Sequence, residues 1–203
     1  HAPASILAME AGKHVYVEKP CSHNAREGEL LIEARDKYGM VVQMGNGRRS
    51  NASTREAMAA LHDGIIGTVH NARCWYARNR ADIGAVKQAS IPQWLDWELW
   101  QGPAPRKSYS DPWVHYNWHW FWHWGTAEAG NNGVHTLDLA RWGLDVDYPT
   151  RVTAAGGTHV HANWQTPDNQ MLSYEFEGGK LATWEGVSYN RMNTYGASNG
   201  VMF

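Results

Sequence analysis

A lysine beside a carboxylate, placed where a short apolar run ends, is the first feature of this sequence able to move a proton. Val15-Tyr16-Val17 runs directly into Glu18-Lys19-Pro20. Open α/β sheets place their ligand-contacting groups at the carboxyl ends of parallel strands. A partly desolvated lysine there could hold a substrate hydroxyl and take its proton as hydride leaves the adjacent carbon. Burial would lower its pKa and Glu18 would raise it, so the sequence leaves the net direction open. A structural ion pair and a functional lysine fit these residues equally well.

The second candidate lies in residues 127–146, AEAGNNGVHTLDLARWGLDV. Val134, Leu137 and Arg141 fall on one helical stripe and Leu139 and Trp142 on another. At helical spacing Asn131, His135 and Asp138 share a face near the start of that helix, and Gly130 and Gly133 allow a close backbone approach. A histidine on a helix is commonly a hydrogen-bonded structural residue. Glycines and polar partners around it make an acid–base or substrate-binding role equally admissible.

Between residues 115 and 124 (HYNWHWFWHW), His115, His119 and His123 have the spacing of helical metal ligands, but Trp118, Trp120, Trp122 and Trp124 repeat every second residue. Period two predicts an extended segment, and no carboxylate or cysteine completes a metal shell. A wall of rings stacking on a sugar, with Trp120 and Trp122 in contact, is the favoured expectation; core or subunit interface remain open. Gly45-Asn46-Gly47-Arg48-Arg49-Ser50 imitates a dinucleotide loop but lacks the third glycine. It also lacks the acidic residue expected about 20 positions on. A strand-to-helix turn is expected there.

The elements that must position these residues alternate at first. Residues 2–11 predict a helix ending at Gly12, 15–17 a strand, Ser22 or Asn24 to Tyr38 a helix stopped by Gly39, 40–44 a strand, and 51–63 a helix. This is an α/β pattern with parallel strands. From Thr68 longer alternating segments follow at 68–77, 150–161, 170–177 and 180–189, the last two joined by Gly178-Gly179, a strong hairpin signal. A separate α+β domain with a mainly antiparallel open sheet is therefore expected from Gly47, giving domains at 1–46 and 47–203.

Composition narrows the partners. A formal charge of −2 with interspersed signs gives no footprint for nucleic acid or an anionic membrane, and no apolar stretch approaches the roughly 18 residues of a membrane span. Cys21 and Cys74 form no CxxC pattern and are expected to be buried free thiols. Beginning at His1 and ending in an apolar run at Phe203, the chain is expected to be cut at both ends. Its compartment stays open between cytoplasm and periplasm.

VYVEKP followed by a helix, a strand and a Gly-Arg-Arg turn, with GVHTLDLARW further on, resembles the Gfo/Idh/MocA oxidoreductases, the glucose-fructose oxidoreductase and inositol dehydrogenase family. The resemblance covers essentially the whole chain in the family's order. It implies that residues 1–46 are the last part of a Rossmann domain binding NAD or NADP, and that 47–203 form an incomplete substrate and oligomerisation domain. It places His1, Glu18, Lys19 and Pro20 near the cofactor, with Lys19 on the reacting hydroxyl and a cis Lys19-Pro20 bond. His135 is implied as substrate ligand or acid–base group. The family's usual carboxylate four residues earlier is Asn131 here. The implied activity is hydride transfer between nicotinamide and a sugar, polyol or sugar derivative, in a homo-oligomer formed through the carboxyl-terminal sheet. An NAD-dependent glycosidase using transient sugar oxidation and a catalytically silent NAD-binding sensor are the alternatives.

Overall fold

Helix α1 (Ala2–Glu10) carries Pro3 in its first turn, where a missing N–H is harmless, and ends before Gly12 at φ 72°. Residues 1–203 are all described by the computed structural model. Strand β1 (Val15–Val17) leads through the Lys19 loop to α2 (Ala25–Tyr38). Asn24 Oδ1 caps α2 by accepting from the Glu27 N–H at 3.0 Å, and Gly39 at φ 63° ends it. Strand β2 (Val42–Met44) pairs in parallel with β1, Val17 opposite Met44, so their carboxyl ends lie side by side. The strand expected from Met40 is shorter because the Met40 N–H is still bound to the carbonyl of Arg35 in the helix end, at 3.1 Å. Ala2, Met9, Leu31 and Ala34 form the core between α1 and α2.

A single 3₁₀ turn, Gly47–Ser50, links β2 to α3 (Ala52–His62). Beyond it come β3 (Asn71–Ala77), β4 (Lys87–Gln88), the one-turn α4 (Trp97–Trp100), β5 (Ser110–Asp111), α5 (Val134–Leu144), β6 (Arg151–Gly157), β7 (Asn169–Glu175), β8 (Leu181–Val187) and β9 (Asn199–Met202). The main sheet has the order β6-β7-β8-β3-β9; β3 runs parallel to β8 and every other pair is antiparallel. The fold is α/β with a mainly antiparallel sheet. Gly178 and Gly179, at φ 75° and 77°, close the β7–β8 hairpin, where side chains would be strained. Helix α5 covers one sheet face, setting Ala140 and Leu144 against Cys74, Ala182 and Trp184. No helix is long and apolar enough to cross a membrane.

The aromatic segment corrects the period-two expectation. Asn117–Trp120 is a 3₁₀ turn, and Trp97, Tyr109, Trp113, Trp120, Phe121 and Trp164 form a second core beside the sheet. Of the two thiols Cys74 is buried, its pKa pushed up to about 12 by burial, whereas Cys21 is only partly covered.

Strand β6 ends at Gly157, short of the expected residue 161, because the chain bends to wrap Asp168. That carboxylate is fully buried and accepts from the backbone N–H groups of His159, Val160 and His161 at 2.8 to 3.1 Å. Asp168→Ala orphans these donors and is expected to destabilise the fold by about 3 kcal/mol or more, read as a lower denaturant midpoint. Burial raises the Asp168 pKa, but the bonds from His161, Val160 and His159 outweigh it and hold the pKa below the usual value. The linked stability is therefore present above the unfolded carboxyl pKa of about 3.9 and is lost as pH falls through the lower folded value. This acid-sensitive component should be missing from the variant.

Candidate active site

Lys19 and Asn131 meet although 112 positions separate them. Lys19 Nζ donates to the Asn131 carbonyl at 2.6 Å and to Asn131 Oδ1 at 2.9 Å. The Lys19-Pro20 bond is cis, and Pro20 Cγ lies 3.9 Å from where a Cβ on Gly130 would stand. Glu18 does not clasp the ammonium; its Oε2 accepts from the Lys19 backbone N–H at 3.2 Å. Burial lowers the Lys19 pKa, Glu18 and Glu128 raise it, Arg80 lowers it, and the net direction is down.

His135, in the first turn of α5, points its Nδ1 at Asn46 Oδ1, 3.2 Å away. Asn46 follows β2, so the ends of both parallel strands reach this place. Burial, then Lys19 and Arg48, lower the His135 pKa against Asp138 and Glu18. The imidazole is thus neutral at pH 7, and Lys19 is close enough for its charge to be felt.

Residues Ala129–Gly133 form a π-helical turn ahead of α5. Its extra residue per turn shifts Asn131 relative to the face that His135 and Asp138, three apart in α5, still share. Asn131 turns to Lys19, while Asp138 takes a two-pronged bond from Arg49 at 2.7 and 2.8 Å. Arg49 belongs to the turn that imitates a dinucleotide loop, and here that turn ties β2 to α5. The close approaches made by the glycines are internal: a Cβ on Gly130 would strike Thr126 Oγ1 at 1.9 Å, and one on Gly133 would meet the Trp184 indole at 3.1 Å.

Two further residues complete the cluster. The Glu128 side chain is 1% exposed and binds Arg80, itself 16% exposed, at 2.9 Å; Glu128 also accepts from Asn131 Nδ2 at 3.3 Å and from Asn132 Nδ2. Glu128 had a signal, being the sole carboxylate in the glycine-rich stretch before His135. Arg80 had none, since it lies in a loop after β3.

Trp120 is 2% exposed, stacked on Trp164 with centroids 3.7 Å apart and lying under the Arg80 guanidinium, so it has no open face for a ligand. The expected substrate contact is corrected there: the ring is core. Trp122 is 53% exposed. His115 stacks on Trp94, His119 binds the Tyr116 carbonyl and His123 the Pro105 carbonyl, three separate directions. A cavity of about 380 Å³ at the aromatic core is lined by Trp113, Phe121, Trp124 and Trp164 and by neither Lys19 nor His135. His1 is exposed at the start of α1 and shares no hydrogen bond with the cluster.

Residues 104–198 match the model of the GFO/IDH/MocA C-terminal domain. An inositol 2-dehydrogenase/D-chiro-inositol 3-dehydrogenase of Halalkalibacterium halodurans is 24% identical over 186 residues, 91% of this chain and 42% of the relative. Inositol 2-dehydrogenase 3 of Saccharopolyspora erythraea is 37% identical over 106 residues, 47% of this chain and 31% of the relative. The chain thus spans less than half the length of these curated relatives. An inositol dehydrogenase homologue from Azotobacter vinelandii, solved with NADH and myo-inositol, has the same fold, with a TM-score of 0.67 at 21% identity over 99% of this chain and 44% of its own. An aldose-aldose oxidoreductase from Caulobacter crescentus superimposes with a TM-score of 0.71 at 20% identity, over 95% of this chain and 49% of its own. The domain match over residues 104–198, the relatives and the shared fold agree in their likeness to the Gfo/Idh/MocA oxidoreductases.

Proposed function

We propose that the protein carrying this chain is an NAD(P)-dependent oxidoreductase acting on a hydroxyl-bearing carbon of a sugar, polyol or sugar derivative, with Lys19 as the group that takes the hydroxyl proton. The arrangement of Lys19 on Asn131 carries this. A neutral lysine amine has two N–H donors and one lone pair. The Asn131 carbonyl and Oδ1 accept both donors, so the lone pair is left for a substrate hydroxyl. Asn131 does this without a charge, so it does not oppose the lowered pKa that a base needs. A bound nicotinamide would supply the acceptor for the hydrogen that leaves carbon.

The carboxyl ends of β1 and β2 fit that group, since they present Glu18, Lys19, Pro20 and Asn46 at the edge where such sheets bind ligands, and Asn46 Nδ2 is a buried donor with no partner. His135, neutral and hydrogen-bonded to Asn46, binds the substrate hydroxyl or shares its proton. His1 stays assigned to the cofactor side, and Trp122 is the ring available to a sugar face. Residues 1–46 act as the end of a Rossmann domain and 47–203 as the substrate domain, which pairs with another copy through its carboxyl-terminal sheet. The names of the relatives support the substrate class: dehydrogenases of inositols, one of them specified for NADP.

The test is to supply the intact protein with NAD or NADP and a panel of inositols and sugars. Reduced nicotinamide formed in step with a ketone product is the expected result. Release of a leaving group from aryl glycosides with no net nicotinamide reduction would replace this proposal with the glycosidase, and tight NAD binding with no turnover on any compound would replace it with the sensor.

A further inference from the structure

The chemistry above leaves Arg80 and Glu128 unused, yet they form the most deeply withdrawn arginine–carboxylate pair of the molecule. Arg80 Nη2 donates to both Glu128 oxygens, at 2.9 and 3.2 Å, and to Tyr76 Oη at 3.0 Å, while Nη1 reaches Tyr116 Oη at 3.2 Å. The residue before Glu128, Ala127, is buried with φ at 60°, a left-handed conformation that costs an alanine strain.

From Glu128 the bonds run on to the amine. A carboxylate can only accept and an ammonium can only donate, so the Asn131 amide has one orientation available: Nδ2 to Glu128 and Oδ1 to Lys19. We infer that Glu128, bonded through both oxygens to Arg80, is a positioning residue for Lys19, fixing the Asn131 amide against Nζ and supplying from three residues upstream the negative charge that residue 131 itself lacks. The charges facing Lys19 are Glu18 from its own loop, Glu128 from the turn before α5 and Arg80 from the loop after β3. His135 and His119 also face it, both with lowered pKa values, His119 at about 4, and both are neutral near pH 7. Glu128 and Arg80 therefore act on Lys19 with opposite signs.

The kinetic half of the test rests on the proposed function, and the chemical half does not. In the intact protein, the titration of Lys19 is read by competitive acetylation followed by mass spectrometry across a pH series. For Glu128→Gln the apparent pKa of Lys19 should fall by roughly half a unit to one unit, because a stabilising negative charge is gone and Arg80 remains. For Arg80→Gln, which keeps a donor for the carboxylate, it should rise. The rising limb of turnover against pH should shift with each, kcat changing more than KM. A merely structural role gives another sign: loosening the site exposes Lys19, and its pKa climbs towards that of a free lysine in both variants. That result, or no shift in Glu128→Gln, overturns the inference. If Glu128→Gln does not fold, Arg80→Gln and the charge-keeping Arg80→Lys decide together: a rise in the first with little change in the second upholds the inference, and a rise in both or in neither overturns it. Acetylation shifts of the expected signs, in a protein that reduces nicotinamide with no polyol or sugar, would uphold the positioning role and remove the proposed activity.

Discussion

Lys19→Ala is expected to lower turnover of the intact protein by roughly 10²- to 10⁴-fold, the usual scale for losing general acid–base help, while nicotinamide binding is largely retained. If the amine takes the hydroxyl proton as proposed, the loss should fall on kcat. Lys19→Arg should not rescue it, since a guanidinium keeps its proton and has no lone pair to offer. His135→Ala should cost a similar factor, because its imidazole lies within the electrostatic reach of Lys19 and is held towards the same place by Asn46. If the two groups serve one proton path, the double variant is far less impaired than the product of the singles. In the unaltered protein, oxidation should gain rate as pH rises through the Lys19 pKa, which lies below the ordinary lysine value of 10.5. Near-wild-type kcat for Lys19→Ala across that pH range would end the assignment of Lys19 as the base.

The parts of this molecule that were legible in the sequence are those decided by neighbours along the chain. Asn24 and Gly39 bracket α2 because a cap and a left-handed residue act within one turn. Gly178 and Gly179 mark the hairpin for the same reason. Where distant residues decide, local patterns misled. The period-two tryptophans read as an extended wall, but the backbone coils into a 3₁₀ turn and the rings pack on Trp164, whose position depends on the bend around Asp168. Regular helical spacing grouped Asn131, His135 and Asp138, but the π turn shifts Asn131 relative to the other two, a change no alternation of apolar residues encodes. Lys19 and His135 were visible from their types and surroundings. The Arg80–Glu128 pair spans 48 positions, and nothing near Arg80 announced it.

The two tryptophans once grouped as a sugar wall should now separate experimentally. Trp120→Ala removes a fully packed ring from between Trp164 and the Arg80 guanidinium, and a cavity of that kind costs about 3–5 kcal/mol. A lower unfolding midpoint is expected. Activity should follow the fraction folded and the state of Arg80, with no preference among substrates. Trp122→Ala takes away a ring already half in solvent, so stability should stay within about 0.5 kcal/mol of the starting protein. If that ring stacks on a sugar, its loss should raise KM for ring-shaped polyols roughly tenfold, equivalent to about 1.4 kcal/mol of binding, and leave short acyclic alcohols nearly unaffected. Unchanged KM across both classes would leave Trp122 without a substrate role. A stable Trp120→Ala variant with raised KM for cyclic substrates alone would mean that the ring leaves the core to meet ligand, and would restore Trp120 to the binding wall.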